Sequence, residues 1–295
     1  MSETITMTAE STAATGDNAD QIEYWNGEAG DKWVRNRETQ DRMLAPLGAL
    51  SLAAADVGPG ERVIDVGCGC GDSSLALARQ VAPQGQVTGI DISEQMLAQA
   101  RQRAAEEPTL PLSFISADAA NHTFPKGETD VVHSRFGVMF FNNPHLAFAN
   151  LAGALRPGGR LTFICWRPLV ENQWVREPLA VAARLAELPP IPPPGTPGPF
   201  AFGDRDYLAS ILDAGTFTEV AIAPHDMPVV LGGSLEEGLN KIVDSSPVAR
   251  ALAGAEEVVR ARVVAAIGEA MQDYMTPDGL MMGTATWLVT ARKPG

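Results

Sequence analysis

The sequence predicts an α/β chain in which a mostly parallel sheet is covered by helices on both faces. Three observations carry that expectation. Between residues 62 and 166, short β-branched apolar runs alternate with helical patterns. Tight turns such as Pro157-Gly158-Gly159 separate them. One strand also runs straight into a loop with glycine at every second position, Gly67-Cys68-Gly69-Cys70-Gly71, before a helix.

Taken in order, residues 1–20 are small, polar and acidic with no apolar rhythm, and read as a disordered tail. Gln21–Leu52 carries a helical pattern, so residues 21–58 are expected to form an N-terminal helical cap. Arg62–Gly67 is a strand, Asp72–Val81 a helix, and Gln86–Ile90 a strand ending at Asp91. Ser93–Ala105 is a helix with Ser93 as its N-cap and Arg101 and Arg103 near its C-terminal end. Leu112–Ala117 and Asp130–His133 are strands. Asn143–Leu155 is a helix with Pro144 at its first position, and Arg160–Trp166 is a fifth strand. Leu188–Pro199 holds seven prolines in twelve residues, a stiff segment that serves either as a surface wrap or as a rim of the pocket. Asp206–Ala214 is a helix and Thr218–Ala223 a sixth strand. Ser234–Tyr274 is mostly helical, and Thr284–Ala291 is the last strand. The core is therefore expected over 59–225 and 284–295, with 226–283 as a helical insertion or lid.

Composition narrows the function classes. The 295 residues carry a net charge of −14, which argues against binding nucleic acid, whose affinity comes mainly from Lys and Arg. The longest stretch free of Asp, Glu, Lys and Arg, Phe136–Leu155, is too polar and broken for a membrane insertion. Three cysteines form no disulfide framework, and the first twenty residues lack a secretory pattern, so a cytoplasmic location is expected. No ligand set for a metal stands out: Cys68 and Cys70 lie inside the glycine loop, and no histidines are closely spaced.

The glycine loop is a cofactor cradle, because missing Cβ atoms let backbone approach a ligand and the helix that follows offers free N–H groups. Asp65, two residues before the loop, suits an ammonium-bearing ligand and would repel a pyrophosphate. Asp91 stands where a carboxylate takes both hydroxyls of a ribose. Asp72 occupies the position at which the dinucleotide pattern G-x-G-x-x-G needs glycine. Asp118, after the third strand, lies where an adenine amino group would be read. The loop and its acids together favour an adenosyl ligand whose other end is an amino acid.

Over Gly60–Trp166 the chain resembles the class I S-adenosylmethionine-dependent methyltransferases, and more narrowly the small-molecule branch that includes the ubiquinone and menaquinone C-methyltransferases. VIDVGCGCGDSSLALA, VTGIDISEQMLAQA, FISADAANHTFP, DVVHSRFGVMFFNNP and LRPGGRLTF carry the resemblance. It implies a Rossmann-like, seven-stranded, mostly parallel sheet with a reversed last hairpin, supplied by Thr218–Ala223 and Thr284–Ala291. It implies S-adenosylmethionine as cofactor, S-adenosylhomocysteine as product and a small-molecule acceptor, and it leaves a homodimer open. By motif, Gly67, Cys68 and Gly69 would line the methionine part and Asp65 would face its amino group, directly or through water. Asp91 would hold the ribose, Ile92 and Met96 would flank adenine, and Asp118 and Ala119 would meet its edge. Ser134 would lie near the methyl group, with Trp33 against cofactor or acceptor.

Methyl transfer from a sulfonium is an in-line displacement, for which orientation alone supplies roughly 7–11 kcal/mol in favourable cases. A base is needed only when the acceptor must lose a proton. Arg135 is a candidate to bind an acceptor carboxylate or stabilise an anion, and His225, beside Asp226, a candidate base. Tyr24, Phe136 and Trp166 are candidate acceptor walls, while His133 reads as a packed strand histidine. The alternatives are the same cofactor fold catalysing cyclisation or decarboxylation, or a non-catalytic binding protein.

Overall fold

The computed structural model describes residues 18–245 and 247–295. The expected tail lies outside the described residues except for Asn18–Asp20, where the chain already turns into α1 (Ala19–Asn26). Gly27 and Asn36 break the N-terminal region into three helices: α1, α2 (Glu28–Arg35) and α3 (Arg37–Ala55).

The alternating stretch follows the expected order. It comprises β1 (Arg62–Val66), α4 (Asp72–Val81), β2 (Gln86–Asp91), α5 (Glu94–Ala105), β3 (Leu112–Ser116), β4 (Thr129–Arg135), α6 (Pro144–Ala154) and β5 (Leu155–Trp166). Asn143 caps α6 by accepting the Leu146 N–H at 3.2 Å. Ser93 occupies the N-cap position of α5, but its hydroxyl is donated to the Trp25 carbonyl and so ties the cap helices to the sheet instead. The remaining elements are α7 (Gln173–Ala182), α8 (Arg205–Ala214), β6 (Thr218–Gly232), α9 (Leu235–Ser245), α10 (Pro247–Ala251), α11 (Glu257–Met271), β7 (Met275–Thr276) and β8 (Gly279–Arg292).

Strand order is β3-β2-β1-β4-β5-β8-β6, with the two-residue β7 added beside β8. β1 to β5 pair in parallel, and β8 runs antiparallel to both β5 and β6. This is the expected Rossmann-like sheet with a reversed last hairpin. The order reverses at β1, and right-handed crossovers then send α4 and α5 to one face and α6 to the other. The crevice between β1 and β4 opens at the C-terminal ends of the strands, where ligands bind in such sheets. The core is dense on the α6 face, where Phe148, Phe163 and Phe202 meet edge-on. Each such buried ring contributes about 1.5–3 kcal/mol.

The last hairpin departs from the sequence expectation. β6 does not stop at Ala223 but runs through Pro224 and Pro228 to Gly232, and β8 starts at Gly279 rather than Thr284. Proline reads as a strand terminator, yet β6 is the edge strand of the sheet, where a missing N–H costs no ladder bond. The helices α9 to α11 therefore sit at the tip of a long hairpin, and the strand portions of 226–283 extend the sheet.

Candidate active site

One cavity of about 900 Å³ opens at the C-terminal ends of β1, β2, β3, β4 and β5. Its floor is the glycine loop. Gly67 has φ +65°, and a Cβ there would come within 2.6 Å of the Gly137 backbone, so the loops after β1 and β4 touch glycine to glycine. Gly69 has φ +53°, and its missing Cβ would project between Met96 and Trp33, leaving a cradle on the cavity side.

Asp91 ends β2 on the cavity wall and is buried. One carboxylate oxygen accepts the Gly69 N–H at 2.8 Å and the other the Ser93 N–H at 2.9 Å. Burial pushes the Asp91 carboxyl above its usual value, against the pull of these backbone donors. Each oxygen retains accepting capacity toward the cavity. Asp118 is also on the wall, fixed by the Ala120 N–H at 2.9 Å. Gly67, Cys68, Ile92, Met96, Ala119 and Trp33 line the same space. Burial and the charges of Asp91 and Asp65 push the Cys68 thiol well up, so it remains a neutral lining group.

Three expected site residues are not on this wall. Asp65 is fully buried behind the loop. The parallel register sets it beside His133, whose Nδ1 lies 2.9 Å from its carboxylate. Ser73 and Ser74 in the first turn of α4 donate to its other oxygen at 2.7 and 2.6 Å. Burial alone would raise this carboxyl, but the donors from His133, Ser74 and Ser73 outweigh it and hold it below the usual value. Ser51 of α3 completes the chain, 3.0 Å from His133 Nε2. Both ring nitrogens of His133 thus have buried partners, and the Ser51 hydroxyl also donates to the Gly48 carbonyl at 3.2 Å. Of the expected contact between Asp65 and a ligand amino group, the direct form is corrected, since the carboxylate is satisfied behind the loop and lies off the cavity wall. Ser134 is likewise buried. Its hydroxyl donates to the Val66 carbonyl at 2.8 Å and accepts the Gly137 N–H at 3.2 Å, so it buttresses the two loops from behind. His225 lies on the edge strand β6 and is absent from the wall, because β6 reaches the cavity through Leu231, six residues further on.

The other candidates do meet there. Arg135 lines the cavity but is tied down: Nη1 donates to Asp72 at 2.8 Å, and Nη2 lies 3.6 Å from Asp41. Arg103 joins the same acids at 3.2 Å each. Asp72, the acid at the dinucleotide position, is therefore neutralised by two guanidinium groups. Phe136 adopts φ +61°, a left-handed conformation unusual for a bulky residue, which costs on the order of 1–3 kcal/mol. The turn stacks its ring on Trp166 at 4.3 Å and 19°, and Trp174 lies 5.3 Å beyond. Tyr24 and Trp25 close the opposite side, with Trp25 edge-on to Tyr24, Trp33 and Phe140. Of the proline-rich segment, Pro199 reaches the wall, and Gly198 donates to the Met139 carbonyl at 3.1 Å.

Sequence reasoning missed Trp174, Gln40, Asp41, Leu231 and Lys241, all on the wall. They come from the cap helix, from α7 and from the far end of the hairpin, and no local motif marks them. Among the described residues no group of three or more His, Cys, Asp or Glu is placed to hold a metal. No helix of the described residues is long and apolar enough to cross a membrane.

Comparison with known proteins bears on this cavity. A family described as a methyltransferase domain matches residues 63–159. The nocamycin O-methyltransferase of Saccharothrix syringae is 30% identical over 233 residues, covering 74% of this chain and 83% of that one. An uncharacterized protein of Mycobacterium tuberculosis is 37% identical over 126 residues, 43% of this chain. The match spans only 44% of that relative's length. Among solved structures, a phosphoethanolamine N-methyltransferase of Haemonchus contortus, crystallised with phosphomonomethylethanolamine and S-adenosylhomocysteine, superposes with a TM-score of 0.56. It is 17% identical, over 95% of this chain and 61% of that one, and so speaks to the fold alone.

Proposed function

Because the chain belongs to the class I S-adenosylmethionine-dependent methyltransferases, we propose that it transfers a methyl group from that cofactor to a small, flat, largely aromatic acceptor. One observation carries the reading: the cavity is continuous from the glycine loop and Asp91 to the wall of Phe136, Trp166 and Trp174. Its volume falls in the range of roughly 300–1,000 Å³ typical of ligand pockets. When bound, the cofactor supplies an electrophilic methyl on a sulfonium.

The chain's residues fit that group. The Gly69 cradle would admit backbone contact, Asp91 would accept from ribose hydroxyls, Ile92 and Met96 would flank an adenine, and Asp118 and Ala119 would meet its edge. Cys68 and Trp33 would lie toward the sulfonium end. The Asp41, Asp72, Arg103 and Arg135 network fixes the far end of the loop, and Arg135 serves orientation there. The aromatic wall holds the acceptor and excludes water from the reacting carbon. The nocamycin relative supports an oxygen acceptor, whereas kinship with the quinone C-methyltransferases rests on motifs alone. The net charge of −14 supports a small molecule over nucleic acid.

The test is incubation with methyl-labelled S-adenosylmethionine and a metabolite extract supplemented with aromatic hydroxy compounds. Label should move to an extractable small molecule. Label staying wholly on a tightly bound cofactor, across a wide acceptor screen, would contradict the proposal.

A further inference from the structure

We propose that Lys241 is the base that removes the proton from an acidic hydroxyl, phenolic or enolic, on the acceptor; this inference rests on the methyl-transfer reading above. Lys241 sits on α9, and its Nζ donates to Gln40 Oε1 at 2.5 Å. Gln40 is buried on α3, and both residues line the cavity. The cap helix therefore fixes where the amine of the hairpin helix stands.

Among the described residues three basic side chains reach the wall: Lys32, Arg135 and Lys241. Lys32 pairs with Glu28 at 2.9 Å and Arg135 with Asp72 at 2.8 Å. Among the described residues Lys241 pairs with no carboxylate within 4.0 Å, and its partner is a neutral amide. A neutral amine donates one N–H to that amide and keeps its lone pair for a proton. Among the described residues, the acids beside it on α9 and α3 are committed elsewhere. Glu237, one turn back, accepts from Gly233, Thr39 and Arg42. Asp244, one turn on, lies 3.7 Å from Arg260 of α11. Asp41 of α3 is held by Arg103. The ends of β6 and β8 that meet α9, residues 229–232 and 279–283, are uncharged. Burial, opposed only by the charge of Glu237, pushes the Lys241 ammonium down to about 7.

The chemistry selects the acceptor class. An alkyl alcohol holds its proton too tightly for such an amine, and a carboxylic acid is ionised without help. A phenol or enol lies between, and suits the aromatic wall. The acceptor O–H bond breaks and its proton goes to Lys241 Nζ. The oxygen electron pair forms the new O–C bond as the C–S bond breaks with its pair left on sulfur. The products are a methyl ether, S-adenosylhomocysteine and a Lys241 ammonium, which releases its proton to solvent.

The test has two arms on the full chain. Competitive acetylation with acetic anhydride across pH, read by peptide mass spectrometry, should give a Lys241 midpoint of about 7; a midpoint at the ordinary 10.5 would overturn the inference. Transfer of labelled methyl to naphthol, cresol and acetylacetone, hydroxyl or enol acceptors that keep their proton at neutral pH, is then measured for the native chain, Lys241→Met and Lys241→Arg. Both variants should keep S-adenosylhomocysteine binding and lose about 100-fold or more in kcat. Arginine keeps the charge but cannot give up its proton. Retained rate in Lys241→Arg would make the side chain an anion anchor, and retained rate in Lys241→Met would leave it no chemical part. Either result overturns the inference. Native transfer to other acceptors but to none of these hydroxyls overturns the inference and leaves methyl transfer standing. No native transfer to any acceptor overturns both.

Discussion

Asp65 lies two residues before the glycine loop, yet its carboxylate serves the protein and not the cavity. Strand alternation and the register beside His133 turn it toward α3 and α4, where four side chains complete a buried hydrogen-bonded chain. Asp65→Asn should lower stability by about 1–3 kcal/mol, the cost of weakening a buried hydrogen-bonded carboxylate. In the folded variant, affinity for S-adenosylhomocysteine should stay near native. Denaturant unfolding and calorimetry check the two parts. The sign with pH follows from the depressed carboxyl: its stabilising share is present above the ordinary 3.8 and is lost as pH falls through the folded value. Lys241 runs the other way in charge but not in sign. Its depressed ammonium makes the native chain gain stability as pH rises from about 7 to 10.5, because the unfolded chain binds more protons there. Lys241→Met should therefore raise Tm near neutrality, and the gain should shrink toward pH 10.5. A gain constant with pH would show that the native fold does not depress this amine. Neither the orientation of Asp65 nor the site role of Lys241 was legible in the sequence. The first depends on which face of β1 meets the cavity, and the second on a residue some 170 positions from the loop it serves.

At the scale of elements, the strand–loop–helix units from β1 to β5 were legible because each signal is local: a β-branched run, a glycine turn, a capped amphipathic helix. The hairpin β6–β8 was not, because proline's tolerance in a strand depends on that strand lying at the edge, which is a property of the whole sheet. That misreading also brought His225 forward as a base, by ending the strand just before it. His225→Ala should change kcat/KM for methyl transfer little and stability by no more than about 0.5 kcal/mol. A large loss of rate with intact folding would restore His225 to the site. The contact between the β1 and β4 loops is the opposite case. Gly67→Ala places a methyl against the Gly137 backbone at a φ of +65°, so it should destabilise the chain and abolish detectable cofactor binding. Native-like binding by the variant would show that these loops have room to part.

The described molecule is a sheet whose open end is roofed from two directions, by cap helices α1 to α3 and by the hairpin helices α9 and α10. Neither roof is complete alone, and Gln40 with Lys241 joins them across the cavity. The charge logic survives in altered form. Asp72 is balanced by Arg103 and Arg135, and Asp65 lies off the cavity wall, so on the proposed function selection of an adenosyl ligand would rest on Asp91 and the glycine cradle. The decisive measurement is therefore a calorimetric titration of S-adenosylhomocysteine into the native chain and into Asp91→Ala, with NAD as a control. The native chain should show one site and no heat with NAD, and the folded variant should lose about 1–3 kcal/mol. Equal affinity in both chains, or NAD seated in place of the sulfur compound, would contradict it.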